Sequence, residues 1–255
     1  GENQMDRMIH TALNTLNNLY MNRAVKSQNL SNLNVPGFRR DMGTTFSSGF
    51  LTEDKRFDAR IFALHEGANV FSANPGNLSE TGLETDVAIR GGGFFIIKPD
   101  TGGPALSRRG DFEVSNLGEL TDGAGSKILD NNLNPINIPP HRRIIVSENG
   151  DLFIEPLGEP EGTRVLAATI GLTSGSEEPL HKDTDGEIRL VEGGIPAADQ
   201  NVVLAQGFIE NSNVNAIEEL VDTLSQQRLF EVNVKFISLS EQIDEGGASI
   251  MRLPQ

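Results

Sequence analysis

The sequence predicts a mixed fold, with N- and C-terminal helices pairing as a coiled-coil-like helical domain and an all-β domain inserted between them. Three observations carry that expectation. Apolar residues near the N-terminus recur at steps of three and four, at Met5, Ile9, Ala12, Leu16 and Leu19 and then at Leu30 and Leu33, which is one face of a helix. A second stripe opens at Val214, Ile217, Val221 and Leu224 and becomes apolar on several faces through Leu229, Phe230, Val232, Val234, Phe236, Ile237, Leu239 and Ile243. A helix apolar nearly all round is expected to find neighbours rather than water. Between the stripes, short apolar runs are punctuated by Gly, Pro and Asn, the pattern of strands and tight turns.

The first helix is expected to stop near Asn34, since Pro36 disfavours helical geometry at Val35 and Gly37 follows. Residues 38–71 show no clean period and read as an extended or partly ordered connector. Strands are expected at 86–90, 94–98, 111–114, 165–172 and 202–208. A short internal echo marks hairpins: Val114 to Leu120 and Val146 to Leu152 share the pattern V-S-x-x-G-acid-L, with Gly where a tight turn needs positive φ. Asp185-Gly186 reads as a third such corner. Asn211, Ser212 and Asn213 are candidate caps for the last helix, Glu218, Glu219 and Asp222 suit its positive end, and Gly246-Gly247 is the expected stop. The expected division is therefore 5–35 with 209–255 as a helical terminal domain, 36–71 as connector and 72–208 as a β-rich outer domain.

Leu224 to Leu229 is a step of five, which rotates the apolar face by about 140°. Past that point the helix needs a second neighbour, and burying each such side chain contributes about 1.5–3 kcal/mol. Ile9, Leu16, Leu19, Leu30, Leu33, Val221, Leu224, Leu229, Phe230, Val232, Val234, Phe236, Ile237, Leu239 and Ile243 are accordingly the candidate assembly interface.

The net charge is −15, unevenly placed: residues 1–40 hold five basic against two acidic residues, and 207–255 hold three against eight. Opposite signs on the two ends favour their pairing, and an acidic bulk disfavours nucleic acid as a partner. No apolar run reaches the length of a membrane span, and no apolar core with a small-residue cleavage site appears near the N-terminus. With no Cys there is neither a disulfide nor a thiol nucleophile.

Motifs for catalysis or cofactors do not hold up. Gly91-Gly92-Gly93 leads into Phe94 and Phe95 without opening a helix, so it reads as a turn rather than a phosphate loop. Gly123 to Lys127 lacks the nucleotide-loop spacing. Asp183, Asp185 and Gly186 begin like a calcium loop but lack its closing Glu at the required distance. His10, His65, His141 and His181 have no paired ligand spacing. No enzyme, metal or cofactor is expected.

Four segments carry a family likeness. Asn29-Leu30-Ser31-Asn32 followed by Gly37-Phe38-Arg39, Asp86 through Gly91 and Gly93 to Phe94-Phe95, Gly207 with Glu210-Asn211-Ser212-Asn213-Val214, and Gln227-Arg228-Leu229-Phe230-Glu231 occur in this order. Together they resemble the axial proteins of the bacterial flagellum, specifically the FlgF type of proximal rod subunit. The resemblance implies a structural subunit that polymerises into the rod spanning the periplasm, a driveshaft carrying torque from motor to hook. It implies export through the flagellar type III apparatus, and as partners other copies, the neighbouring proximal and distal rod proteins and the surrounding rings. A distal-rod subunit of FlgG type and a monomeric ligand-binding β-protein are the alternatives.

Overall fold

The computed structural model describes residues 2–43, 46–51, 59–64, 70–175, 179–183, 185–199 and 201–251. Packing divides the chain into two units: Gly1–Ser31 with Met42–Ala68 and Asn215–Gln255, and Asn32–Asp41 with Asn69–Val214.

The first unit holds helix α1 (Glu2–Ser31), an antiparallel hairpin of β1 (Phe46–Leu51) and β2 (Ala59–Leu64), and helix α2 (Ala216–Met251). The hairpin register runs from Phe46 opposite Leu64 to Leu51 opposite Ala59. Among the described residues no helix is long and apolar enough to cross a membrane. Helix α2 passes through Gly246 and Gly247, the expected stop, and ends at Met251. Glycine costs a helix about 1 kcal/mol against alanine but keeps its N–H donor, so it weakens a helix without ending it.

The coiled-coil-like pairing expected of the two ends is overturned. A coiled coil buries an apolar seam of knobs in holes. Here α1 and α2 meet through polar groups, with Lys26 Nζ 3.1 Å from Glu219 and 2.6 Å from Asp222, and Asn29 Nδ2 donating to Glu219 Oε1 at 3.4 Å. Leu19 is buried, whereas Val221, Leu224, Leu229 and Phe230 on α2 are exposed. The wide apolar surface of α2 offers no single heptad seam, and a group of polar contacts joins the helices beside buried Leu19.

The second unit is all β outside its turns. Its strands are β3 (Leu78–Glu80), β4 (Val87–Arg90), β5 (Phe94–Lys98), β6 (Ala105–Ser107), β7 (Phe112–Val114), β8 (Leu120–Asp122), β9 (Lys127–Ile128), β10 (His141–Val146), β11 (Asp151–Pro156), β12 (Val165–Thr169), β13 (Leu172–Thr173), β14 (Leu180–Lys182), β15 (Ile188–Leu190), β16 (Val203–Gln206) and β17 (Phe208–Glu210). The main sheet runs β14-β15-β6-β5-β9-β8-β7, with β13 also on β5. A smaller sheet runs β10-β11-β12, and the last two strands return to pair with the first: β16 with β4 and β17 with β3.

Both echoed corners are the same turn. Gly118 and Gly150 take φ of 84° and 89°, and Ser115 and Ser147 N–H groups donate across the turn to the Glu119 and Asp151 carbonyls, each at 2.9 Å. The serine hydroxyls close them by accepting the Glu119 and Asp151 N–H at 3.1 and 3.0 Å. Asp185-Gly186 repeats the pattern, with Gly186 at φ 86° and Asp183 N–H on the Glu187 carbonyl at 2.8 Å.

The outer edge of β10 is sealed by side chains. Glu84 accepts the Ile144 N–H at 3.2 Å, and the Gln206 amide takes the Val146 N–H at 3.2 Å while donating to the Ile144 carbonyl at 2.8 Å.

Alternation along the strands builds one large apolar core around Phe95, Ile97, Leu120, Ile128, Leu152, Ile154, Ile170 and Leu172, joined by Val202 and Leu204 from the last segment. Phe95 meets Phe112 edge-on at 5.0 Å between ring centres. A second cluster on the opposite face gathers Phe94, Ile96, Leu106, Leu129 and Ile188. Phe95 is fully buried, so Phe95→Ala is expected to lower unfolding free energy by about 3–5 kcal/mol, read as a drop in the urea midpoint at unchanged slope.

Candidate functional site: a buried ion cluster and an exposed helical stripe

Three of the four signature segments converge on one carboxylate. Helix α1 gives way to a turn in which the Val35 N–H reaches the Asn32 carbonyl at 3.2 Å. Gly37 follows at φ 68° with Arg108 and Arg109 backbone so close that a Cβ would lie within 2.5 Å of it. Only glycine fits there. Its N–H donates to the Glu210 carbonyl at 2.7 Å, which lays residues 37–41 against the segment leaving β17.

Glu210 is 1% exposed. Its carboxylate receives Arg108 Nε at 2.6 Å and the Gly76 N–H at 2.7 Å, with Arg39 Nη1 at 3.0 Å. Arg108 Nη2 also reaches it. The remaining guanidinium donors of Arg108 go to the carbonyls of Gly93 at 2.8 Å, Gly91 at 2.9 Å and Ile89 at 3.2 Å. Arg39 Nη1 donates to the Asn74 carbonyl as well. The Gly91-Gly92-Gly93 turn thus presents its carbonyls to an arginine, the reverse of a phosphate loop. Burial pushes the Arg39 pKa down to about 10, with Glu210 raising it and Arg108 lowering it further. Burial also lowers Arg108, against the opposing pull of Glu210.

The neighbouring groups extend the lock. Asn213, expected as a helix cap, instead accepts the Arg40 N–H at 2.6 Å and donates to the Asn74 carbonyl at 2.7 Å. The cap of α2 is Asn215, whose Oδ1 receives the Ile217 N–H at 3.1 Å. Ser212 Oγ takes the Val214 N–H at 3.3 Å, and Val214 is buried. Asp86 and Gly207 are joined through the Asp86 carbonyl at 2.7 Å. Phe38 lies under Lys182, whose Nζ is 4.0 Å from the ring centre, 2.6 Å from the Arg39 carbonyl and 2.5 Å from Asp41. Burial lowers the Lys182 pKa, and Asp41 opposes this. Phe94 packs edge-on against Phe71 at 6.5 Å.

Arg108 and Lys182, which organise this cluster, were not singled out by sequence reasoning. The available signal was the Arg108-Arg109 pair one residue beyond the apolar pair Ala105-Leu106 in a strongly acidic chain.

Of the candidate assembly residues, Leu19 is buried, Leu16, Leu30, Leu33 and Ile237 are half-buried, and Val221, Leu224, Leu229, Phe230, Val232, Val234 and Leu239 are exposed. The side chains of Ile9, Phe236 and Ile243 lie outside the described ones. Asn29 is buried against Glu219. Arg228 and Glu231, from the fourth signature, are exposed on α2. Leu19, Tyr20 and Arg23 of α1 face Thr223, Gln226, Gln227 and Phe230 of α2 across a groove.

The Asp183-Asp185 corner spends its carboxylates on Arg189, at 3.2 and 2.7 Å. Beside it the Glu187 carboxyl is pushed up to about 7 by burial first and then by Asp122 and Asp185, with Arg189 and Lys182 opposing.

Two family models match: the flagellar hook protein FlgE/F/G D1 domain over residues 88–154 and the flagellar basal body rod FlgEFG protein C-terminal over residues 205–250. Among curated proteins, the basal-body rod protein FlgF of Salmonella typhimurium is 26% identical over 251 residues, covering 96% of this chain and 98% of that one. The rod protein FlgG of Buchnera aphidicola subsp. Acyrthosiphon pisum is 31% identical, covering 88% and 91%, and that of Borreliella burgdorferi is 30% identical, covering 94% and 96%. The inserted β-unit and the locked chain ends therefore define an axial protein of the flagellum. The chain belongs to the flagellar basal-body rod protein family, whose members are structural subunits located in the basal body and assembling with other rod proteins.

Removing Glu210 leaves two buried guanidinium groups without their carboxylate, so Glu210→Ala is expected to destabilise by about 3–5 kcal/mol in equilibrium urea unfolding. Glu187 is a carboxyl raised in the folded state. It carries no penalty below its unfolded pKa, and it costs stability progressively as pH rises through about 7. Glu187→Gln is expected to gain on the wild type by about 1–3 kcal/mol between pH 5 and pH 8, after allowance for solvent screening, measured as the difference in unfolding free energy at the two pH values.

Proposed function

We propose that this subunit polymerises into the rod through the apolar stripes of its terminal helices, copy against copy and against the neighbouring rod proteins. The observation that carries this is the exposure of α2: Ile217 is 74% exposed, Leu224 58% and Val232 62%. A contiguous apolar surface of this kind marks an interaction site. Candidate contacts are the residues named above from Ile9 through Ile243, and the surrounding rings are further candidate partners. The same reading takes the chain through the flagellar type III export apparatus and assigns it no catalytic role.

The Glu210 cluster supports a part in torque transmission. Residues 37–41 follow α1 and residues 210–214 precede α2 in the chain, and the cluster bonds the two segments to each other. In this reading the segments that adjoin the two helices in sequence are held to each other by buried charge rather than left as loops. A proximal position in the rod is the reading that the near-full-length FlgF relatives support. The FlgG-named relatives favour a distal position as the second reading, and immunogold labelling along isolated basal bodies separates the two.

Leu224→Asp and Phe230→Asp place a charge on the stripe without touching the β-unit. Each is expected to cut incorporation into isolated basal bodies at least tenfold by immunoblot, with motility lost and circular dichroism unchanged. Normal incorporation of both variants would refute the helical interface.

A further inference from the structure

We infer that the β-unit is closed by its last segment, residues 202–214, and that the chain before it stays unlocked until Glu210 docks. Three independent features of the fold lead there. The first is pairing. Strand β3 pairs with β17 and β4 with β16, so among the described strands these two early elements find their ladder partners only at the far end of the unit. The second is charge. Arg39 and Arg108 are both buried, and Glu210 is the carboxylate they share. Arg108 lies 102 residues from Glu210 in sequence, and Gly76 lies 134. Withdrawing two cations from water before their anion arrives is strongly unfavourable, so the carbonyls of Ile89, Gly91 and Gly93 do not receive Arg108 in its final place until Glu210 is there. The third is packing. Val202 and Leu204 belong to the main core, and the Val202 methyls occupy the space that Gly93 leaves open, where a Cβ would come within 2.6 Å of them.

Closing so long a loop adds only a slowly growing entropy cost, but contacts of this separation form late. On the export reading proposed above, with the chain delivered N-terminus first, the β-unit therefore stays unlocked until the strap arrives. Because the strap runs directly into α2, the β-unit locks only as the assembling helix itself is being delivered. A partly delivered subunit has no finished β-unit to dock.

Pulse-labelling hydrogen exchange during refolding of the full chain from urea tests this. The amides of Val87, Ile96 and Ile170, which bond to Gly110, Gly171 and Gly150, report the body of the unit, and those of Leu204 and Asn211, which bond to Glu148 and Asn77, report the strap. Both sets are expected to gain protection in one phase, at rates within twofold of each other. Body amides protected more than twofold faster than the strap would overturn the inference. Glu210→Gln keeps the shape but removes the charge, and is expected to slow the shared phase at least threefold; a smaller effect would also overturn it. Arg143→Ser, which removes the exposed pair with Glu84, serves as the control and is expected to leave the rate within twofold. Should Glu210→Gln fail to fold, the order of protection in the wild type decides alone.

Discussion

The charge balance at Glu210 sets most of what surrounds it. Two arginines, reaching the carboxylate from the start and middle of the unit, cannot both be buried unless that one anion is buried with them. Once they are, their spare donors determine the neighbourhood: the turn between β4 and β5 must aim its carbonyls inward, and residue 37 must be a glycine to let the backbone of Arg108 pass. A buried ion cluster of this kind is a poor source of net stability compared with apolar packing. It discriminates well, since a strand shifted by one residue would leave charges unpaired.

The helical unit follows another logic. Its internal contact is the Lys26, Glu219 and Asp222 group, matched in sign as the uneven charge of the two ends suggested. One such group stabilises modestly. Among the described side chains of α2, Ile217, Leu220, Val221, Leu224, Leu229, Phe230, Val232, Val234 and Leu239 face water, a surface that a polymer could consume. The β-unit carries its own core and its own buried ion cluster, whereas α2 leaves apolar side chains exposed.

Local features were the most legible in the sequence. The hairpin corners at Gly118 and Gly150 are set by residues within five positions of each other, so the echoed pattern was enough to place them. The apolar periods likewise marked where helices would form. Geometry between helices was not legible, because a surface as wide as that of α2 is compatible with many partners and singles out no coiled-coil seam. Helix ends were only partly so: Asn213 has the chemistry of a cap but is drawn away to Arg40 and Asn74, leaving Asn215 to serve. Gly246 and Gly247 were expected to end α2, yet its hydrogen-bonding continues past them. Arg108 is the clearest omission, since its partners lie far off in the chain and nothing in its immediate surroundings separates it from Arg109, which pairs with Asp111 two residues away.

The sealed edge of β10 has a bearing on crowding. Rod subunits stand shoulder to shoulder, a setting in which any bare strand invites a neighbour's backbone to zip onto it. Glu84 and Gln206 already occupy the N–H groups of Ile144 and Val146 and the carbonyl of Ile144, acting as a short dummy strand made of side chains. At Ile144 and Val146 a neighbour's strand would have to displace these side chains before it could pair, which disfavours ribbon growth along that stretch.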